Sequence, residues 1–371
     1  MPARPRSPLG LALPTFPWDT LTEAKDTAAA HPGGLIDLSI GTPVDEVAPG
    51  IQLALASNSA DPGYPPTDGF PELREEIVAW LDRRYGVSGF EPDYVHPVVG
   101  TKEAVALAPL MLGVGQGHTV VIPEVAYPTY EVAALTSGAK VVRADSLTQL
   151  GPMTPTLMFI NTPSNPTGKV LGLEHLKKVV SWAQQRGVIV ISDECYIGLG
   201  WSDTNPPLSI LDPRVNGGDI TGLLALHSLS KSSNLASYRF GFFAGDPALI
   251  AELSLARKHL GLMVPTAVQH AALAALKDDD QEAMQKLRYA KRRVALMKAL
   301  IDAGFSIEDS EAGLYLWTTR GEPGRDTVAW FAERGILVAP GEFYGAKGAQ
   351  FVRISLTGSD TAIAAACERL G

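Results

Sequence analysis

The segment HSLSKSSNLASYRFGFFAG, residues 227–245, decides how the rest of the chain is read. A short apolar strand, Leu223 to His227, runs into a polar loop that carries Lys231, and a second apolar strand, Phe240 to Ala244, follows Arg239. Loops after strand ends are where α/β sheets bind ligands. A loop lysine taken alone is ordinary solvated surface chemistry, so its weight comes from its neighbours.

Two further segments carry polar groups at the end of an apolar strand. VIVISDECY (188–196) puts Asp193 at the C-terminal end of a β-branched run, with Tyr196 three residues on. A carboxylate there either faces a ligand crevice or caps a turn. NTPSNPTG (161–168) follows the apolar run Leu157 to Ile160, and its Pro and Gly residues fix a turn that presents Asn165 at the same edge.

Between these segments helices alternate with strands. The pattern predicts helices over Phe70 to Tyr85, Pro128 to Thr136, Leu173 to Arg186 and onward from Pro247. Strands are expected at Thr119 to Ile122, Lys140 to Val142, Leu157 to Ile160 and Val188 to Ser192. Continuous apolar strands alternating with helices mean an α/β fold with a mostly parallel sheet covered on both faces. After about residue 275 the texture changes to a long helical run, Asp280 to Ala303, then shorter elements at Tyr315 to Thr319, Thr327 to Arg334, Ile336 to Ala339 and Phe351 to Ser355. That reads as a second α+β unit. The expected division is a large domain over 43–280 and a small domain made of 1–42 and 281–371.

Composition narrows the function. The 371 residues are 46% hydrophobic and 19% charged, enough to bury a sizeable core. A net charge of -9 without a basic stripe argues against nucleic acid. No apolar stretch approaches the ~20 residues that cross a bilayer. Cys195 and Cys367 form no CxxC pair, and the start, MPARPRSPLGLALP, has too short an apolar stretch for a signal peptide. A cytoplasmic location is expected. The seven histidines lie too far apart for a helical zinc pair, so no metal is expected. The clustered Gly113, Gly115 and Gly117 precede a strand and do not open a helix after one, which sets aside a dinucleotide fold.

Taken together the segments resemble the class I/II aminotransferases, the fold type I pyridoxal-phosphate enzymes. The likeness runs in order through LSIGTP (38–43), GYPPTDGFPELR (63–74), VVGTKEA (98–104), PEVAYPTYE (123–131), the three segments above, and FVRISL (351–356). It implies a seven-stranded, mostly parallel sheet between helices with a smaller α+β domain, and pyridoxal 5'-phosphate as cofactor. Lys231 would hold the cofactor as a Schiff base and, once displaced, shuttle the proton. Asp193 would keep the pyridine nitrogen protonated, and Asn165 and Tyr196 would hydrogen-bond the phenolic oxygen. Ser228, Arg239 and the backbone amides of Thr101 and Lys102 would hold the phosphate. Tyr127 would stack on the ring, and Tyr64 would reach the phosphate of a neighbouring subunit in a homodimer with shared sites. Arg353, facing away from Val352 and Ile354, would grip the substrate α-carboxylate bidentately, with Gly41 close to the same group.

Only RADSLTQLGPMTPT (143–156) links the strand at Val141 to the one at Leu157, a short connection for this family. The trimmed arrangement resembles bacterial N-succinyl-diaminopimelate aminotransferases, which implies amino-acid and 2-oxo-acid substrates in diaminopimelate and lysine biosynthesis. An aminotransferase of another amino acid, or a carbon-sulfur β-lyase on the same scaffold, would use the same residues. A cofactor-binding DNA regulator would need a recognition helix that the proline-rich start does not offer.

Overall fold

The computed structural model describes residues 13–371, so the start read above against an export signal lies outside the described residues. Seven strands form the main sheet in the order Val95–Val98, Gly241–Gly245, Leu223–Ser228, Ile189–Asp193, Leu157–Asn161, Thr119–Ile122 and Lys140–Arg143. Gly241–Gly245 runs antiparallel to both its neighbours, and the strands from Leu223–Ser228 to Lys140–Arg143 are parallel. Every residue of Leu157–Asn161, Leu223–Ser228 and Gly241–Gly245 is buried, as helices on both faces require.

The helices start and stop where backbone chemistry dictates. Pro71 opens Pro71–Tyr85 and Gly86 closes it at φ 67°. Pro247 opens Pro247–Leu260, and the Asp246 carboxylate accepts from the Ala248 amide at 2.9 Å. The helix expected at Thr327 to Arg334 instead spans Gly324–Ala332, because Pro323 sets its start.

A second, antiparallel sheet takes the order Ala339–Pro340, Val352–Ser355, Tyr315–Thr319, Ser306–Glu308. The single element expected over Ile336 to Ala339 is two strands. Ile336–Leu337 pairs in parallel with Ile36–Asp37, while Ala339–Pro340 pairs with the Arg353 strand. Ile36–Asp37 is thereby tied to the C-terminal part of the chain. The short connection after Lys140–Arg143 holds one helical turn, Leu147–Leu150, closed by a Ser146/Gln149 capping box. A cavity of about 370 Å³ lies beside that turn.

Register decides which polar groups meet. Asn161 pairs with Asp193, and Asp193 with Leu226, so adjacent parallel strands end together and bring Asn161, Asp193 and Ser228 to one sheet edge. Alternation sends the next residues to the opposite face. There Glu194 Oε2 lies 3.4 Å from His227 Nε2, both fully buried. Burial pushes the His227 pKa down to about 3. It pushes Glu194 up to about 7, against hydrogen bonds from Ile210, Ser209 and Ser192. Between about pH 3 and 7 neither group favours charge, so there the contact is a neutral pair and not an ion pair.

This neutral histidine sets an acid limit on stability. Below its ordinary value of 6.5 the unfolded chain binds a proton that the folded chain refuses down to about pH 3, so stability falls as acid is added. Glu194 acts in the opposite sense, contributing most below its ordinary 4.5 and losing that contribution as the pH rises toward 7. Replacing His227 with phenylalanine, which keeps the stack on Phe242, is expected to flatten the loss of stability from pH 6.5 to 4. Urea unfolding at a series of pH values reads this; an unchanged slope rules out a neutral His227.

Candidate active site

The sheet edge opens into a cavity of about 290 Å³. It collects Gly41, Thr101, Lys102, Tyr127, Asn165, Asp193, Tyr196, Ser228, Lys231, Arg239 and Arg353, drawn from sites across more than three hundred residues of chain. Tyr64 is the one expected residue that lies outside it, 93% exposed on the surface. The larger cavity beside Leu147–Leu150 shares the Asn161 to Thr167 turn but offers only the exposed cations Lys169 and Lys347.

Each group is held by its own element. Gly100, at φ 78°, is the N-cap of Thr101–Met111, so the free amides of that helix face the cavity. A Cβ at Gly100 would come within 2.2 Å of Arg239 Nη2 and push the guanidinium aside, and φ 78° itself favours glycine. Arg239 is itself exposed and at positive φ, and its Nη1 donates to the Ala236 carbonyl at 2.8 Å. The Ser228 hydroxyl accepts from the Ser230 amide at 3.1 Å, leaving its proton for another acceptor.

Lys231 projects from the loop after Leu223–Ser228, and its ammonium donates to the Gly41 carbonyl. Its stem is partly exposed, but burial of the amine drives the pKa below the ordinary lysine value. Arg353 and Arg239 push in the same direction, while Tyr315 and Cys195 oppose them. Asp193 is 6% exposed; its Oδ1 accepts from the Cys195 amide at 3.2 Å and its Oδ2 from the Tyr130 hydroxyl at 2.7 Å. Burial raises its pKa and those hydrogen bonds hold the rise back.

Arg353 is buried at the opposite wall. Nη1 donates to Asn165 Oδ1 at 2.9 Å and Nη2 to the Ser39 carbonyl at 2.6 Å. Its guanidinium carbon lies 3.9 Å from the Tyr315 ring centroid. Nε finds no partner among the described residues, an unmet donor that suits an anionic ligand. The Tyr196 and Tyr315 hydroxyls are 3.3 Å apart. Burial alone would raise the Tyr315 pKa, but the Arg353 and Lys231 cations bring it below the ordinary tyrosine value.

Four cations (Lys102, Lys231, Arg239, Arg353) and one carboxylate (Asp193) line the cavity among the described residues. That balance selects anions. Tyr315, Phe16, Trp18, Cys195 and Ser230 also line it, and Tyr130 stands behind Asp193, none of them singled out from sequence. Tyr130 had only a weak signal, its place in the first turn of the helix Thr129–Ser137 three residues after Tyr127. Tyr315 had none: its place beside Arg353 comes from the pairing of Tyr315–Thr319 with Val352–Ser355.

A sheet edge that gathers a buried lysine, a carboxylate and an anion cradle defines a group-transfer site built on a cofactor. Residues 34–370 match the aminotransferase class I and II family, and the chain belongs to that family. It is 59% identical over 365 residues to probable aminotransferase Rv1178 of Mycobacterium tuberculosis, covering 98% of this chain and 87% of that protein. It is 51% identical to the 4-dedimethylamino-4-oxo-anhydrotetracycline transaminase OxyQ of Streptomyces rimosus, covering 96% of this chain and 99% of that one. An LL-diaminopimelate aminotransferase of Gloeobacter violaceus is 31% identical over 96% of this chain and 95% of its own. Among solved structures, an aminotransferase from Mycobacterium tuberculosis superposes with a TM-score of 0.87 at 25% identity, covering 99% of this chain and 98% of the other.

The family uses pyridoxal 5'-phosphate, and the residues present fit it. The Gly100 cradle and its helix amides suit a phosphate, the Lys231 amine an aldehyde, and the buried Asp193 a protonated ring nitrogen. Gly100→Ala, which drives a methyl into Arg239 at an unfavourable φ, is expected to weaken cofactor binding at least about tenfold. Equilibrium titration of the cofactor-free protein with pyridoxal 5'-phosphate measures it, and an unchanged affinity removes Gly100 from the phosphate site.

Proposed function

We propose that this aminotransferase moves an amino group between glutamate or 2-oxoglutarate and N-succinyl-2-amino-6-oxopimelate, whose aminated form is N-succinyl-LL-2,6-diaminopimelate. The observation that carries the reading is the buried Arg353 with its unmet Nε, the cation left for substrate once Lys102, Lys231 and Arg239 lie on the cofactor side: each partner carries two or more carboxylates. The diaminopimelate relatives support the same substrate class. The 4-dedimethylamino-4-oxo-anhydrotetracycline named for OxyQ favours a second reading, a bulky ketone, which the aromatic lining of Phe16, Trp18, Tyr127 and Tyr315 would suit chemically.

When bound, pyridoxal 5'-phosphate supplies an aldehyde to carry the amino group and a ring that withdraws the electron pair left on the substrate carbon. The protein does the rest. Lys231 would anchor the cofactor, and its lowered pKa eases loss of a proton from Nζ, which would then move a proton to and from the substrate α-carbon. Arg353 fixes the α-carboxylate, steadied by Asn165 and the Ser39 carbonyl. Asp193 would hold the proton of the ring nitrogen, Tyr196 and Asn165 would donate to the phenolic oxygen, and Tyr127 would cover the ring. Ser228, Arg239 and the amides of Thr101 and Lys102 would hold the phosphate.

The exposed Tyr64 belongs, on this reading, to the phosphate site of a second copy in a homodimer. Mixing inactive Lys231→Ala chains with inactive Tyr64→Ala chains is expected to restore about a quarter of wild-type activity, since half the dimers are hybrids with one intact site of two. Absence of recovery, or full activity in a monomer, overturns the shared site.

The substrate is tested by specificity constants with 2-oxoglutarate in excess. N-Succinyl-diaminopimelate is expected to exceed alanine, phenylalanine and free diaminopimelate by roughly 4 kcal/mol, about a thousandfold, because an apolar or miscast distal end strands buried polar groups. If an aromatic or small neutral amine wins, the substrate assignment fails and the aminotransferase assignment stands. Pyruvate release from a cysteine conjugate without a 2-oxo acid would mark the β-lyase.

A further inference from the structure

Tyr130 does not line the cavity, yet it touches two groups that do. Its hydroxyl donates to Asp193 Oδ2 at 2.7 Å. Its ring stands edge-on to Tyr127, with centroids 5.7 Å apart and planes at 83°. Phe159 locks the same ring by stacking at 4.9 Å and 15°. Tyr130 is fully buried, so without Asp193 its hydroxyl would be stranded in an apolar setting. The phenol thus meets the only acid among the described residues of the cavity wall.

We propose that Tyr130 is a positioning residue for the cofactor ring: it keeps Asp193 ionised and aimed, and it sets the ring of Tyr127. The inference rests on the reading that pyridoxal 5'-phosphate places its ring nitrogen at Asp193. A phenol suits the task because it donates a proton without itself changing charge near neutral pH, unlike an imidazole. Burial holds its own pKa well above the ordinary tyrosine value.

The groups around Asp193 show that nothing else would replace this donor. Tyr130 faces it from the first turn of the helix Thr129–Ser137 and Tyr127 from the residue before that helix's N-cap, Glu194 and Cys195 adjoin it in sequence, and Ser228 and Lys231 share its cavity from the next strand and loop. Burial raises the Asp193 pKa, and the hydrogen bonds from Cys195 and Tyr130 lower it. Removing the phenol leaves Cys195 alone against burial. The folded-state pKa of Asp193 then rises further, and a protonated Asp193 cannot pair with a protonated ring nitrogen. Cofactor affinity therefore falls with acid at a higher pH in the variant than in the native enzyme.

The experiment is a pH series of pyridoxal 5'-phosphate titrations on native protein and Tyr130→Phe. The acid limb of affinity is expected to move up by about one pH unit, giving roughly tenfold weaker binding on that limb and similar binding at pH 8. A purely structural role would lower affinity by the same factor at every pH, and parallel curves overturn the proposal. Fluorotyrosine at position 130, a stronger donor of nearly the same volume, is expected to move the limb down; it serves if Tyr130→Phe does not fold, and an unmoved limb there also overturns the proposal. Borohydride reduction of the loaded proteins and peptide mapping separate the two levels. A label on a lysine other than Lys231 defeats the underlying reading, whereas a label on Lys231 with an unmoved limb defeats only the role of Tyr130.

Discussion

The guanidinium of Arg353 is the constraint on which the arrangement depends. A buried cation is costly unless its donors are met, and Arg353 meets two of its groups with acceptors from distant parts of the chain, the Asn165 side chain and the Ser39 carbonyl. One belongs to the turn after a strand of the large sheet. The other belongs to the segment that follows Ile36–Asp37 and crosses toward Gly41. A single side chain on the small sheet thereby ties three pieces of chain into one wall, and the Tyr315 ring stacked against it leaves the unpaired Nε as the point where a ligand completes the shell.

The opposite wall rests on strand register. Because Asn161, Asp193 and Leu226 are aligned across parallel strands, the strands end at one level and their last polar residues face one space. A slip of one residue would send Asp193 to the apolar underside and bring Glu194 to the cofactor face. The neutral Glu194–His227 contact beneath the sheet fits only the observed register, so the polar pair below and the acid above specify each other.

Electrostatics and burial then divide labour among similar groups. Burial works against the charge of both Lys231 and Arg353, but the lysine pKa ends below its ordinary value while the tyrosines around the guanidinium hold its pKa above the ordinary one. One can therefore exchange protons and the other can only bind. Asp193, held by two donors, is the one carboxylate among the described residues of an otherwise cationic cavity.

The sequence by itself determined the alternation of helices and buried strands, the parallel character of the large sheet, and the polar segments at strand ends, because periodicity, strand-end position and proline or glycine punctuation are local properties. Eleven of the twelve residues singled out from it meet in one cavity, since most of them sit at or just after strand ends. The twelfth, Tyr64, faces solvent in a single chain. Tertiary structure alone decided that Ile336 to Ala339 splits between two sheets, that Tyr315 stacks on Arg353, and that Tyr130 rather than any charged group holds Asp193. Those choices depend on which distant backbones pair and on which buried donor finds an acceptor. A tyrosine that packs in a core and one that orients a catalytic acid have the same local sequence signal, and only the 2.7 Å contact across 63 residues of chain separates them.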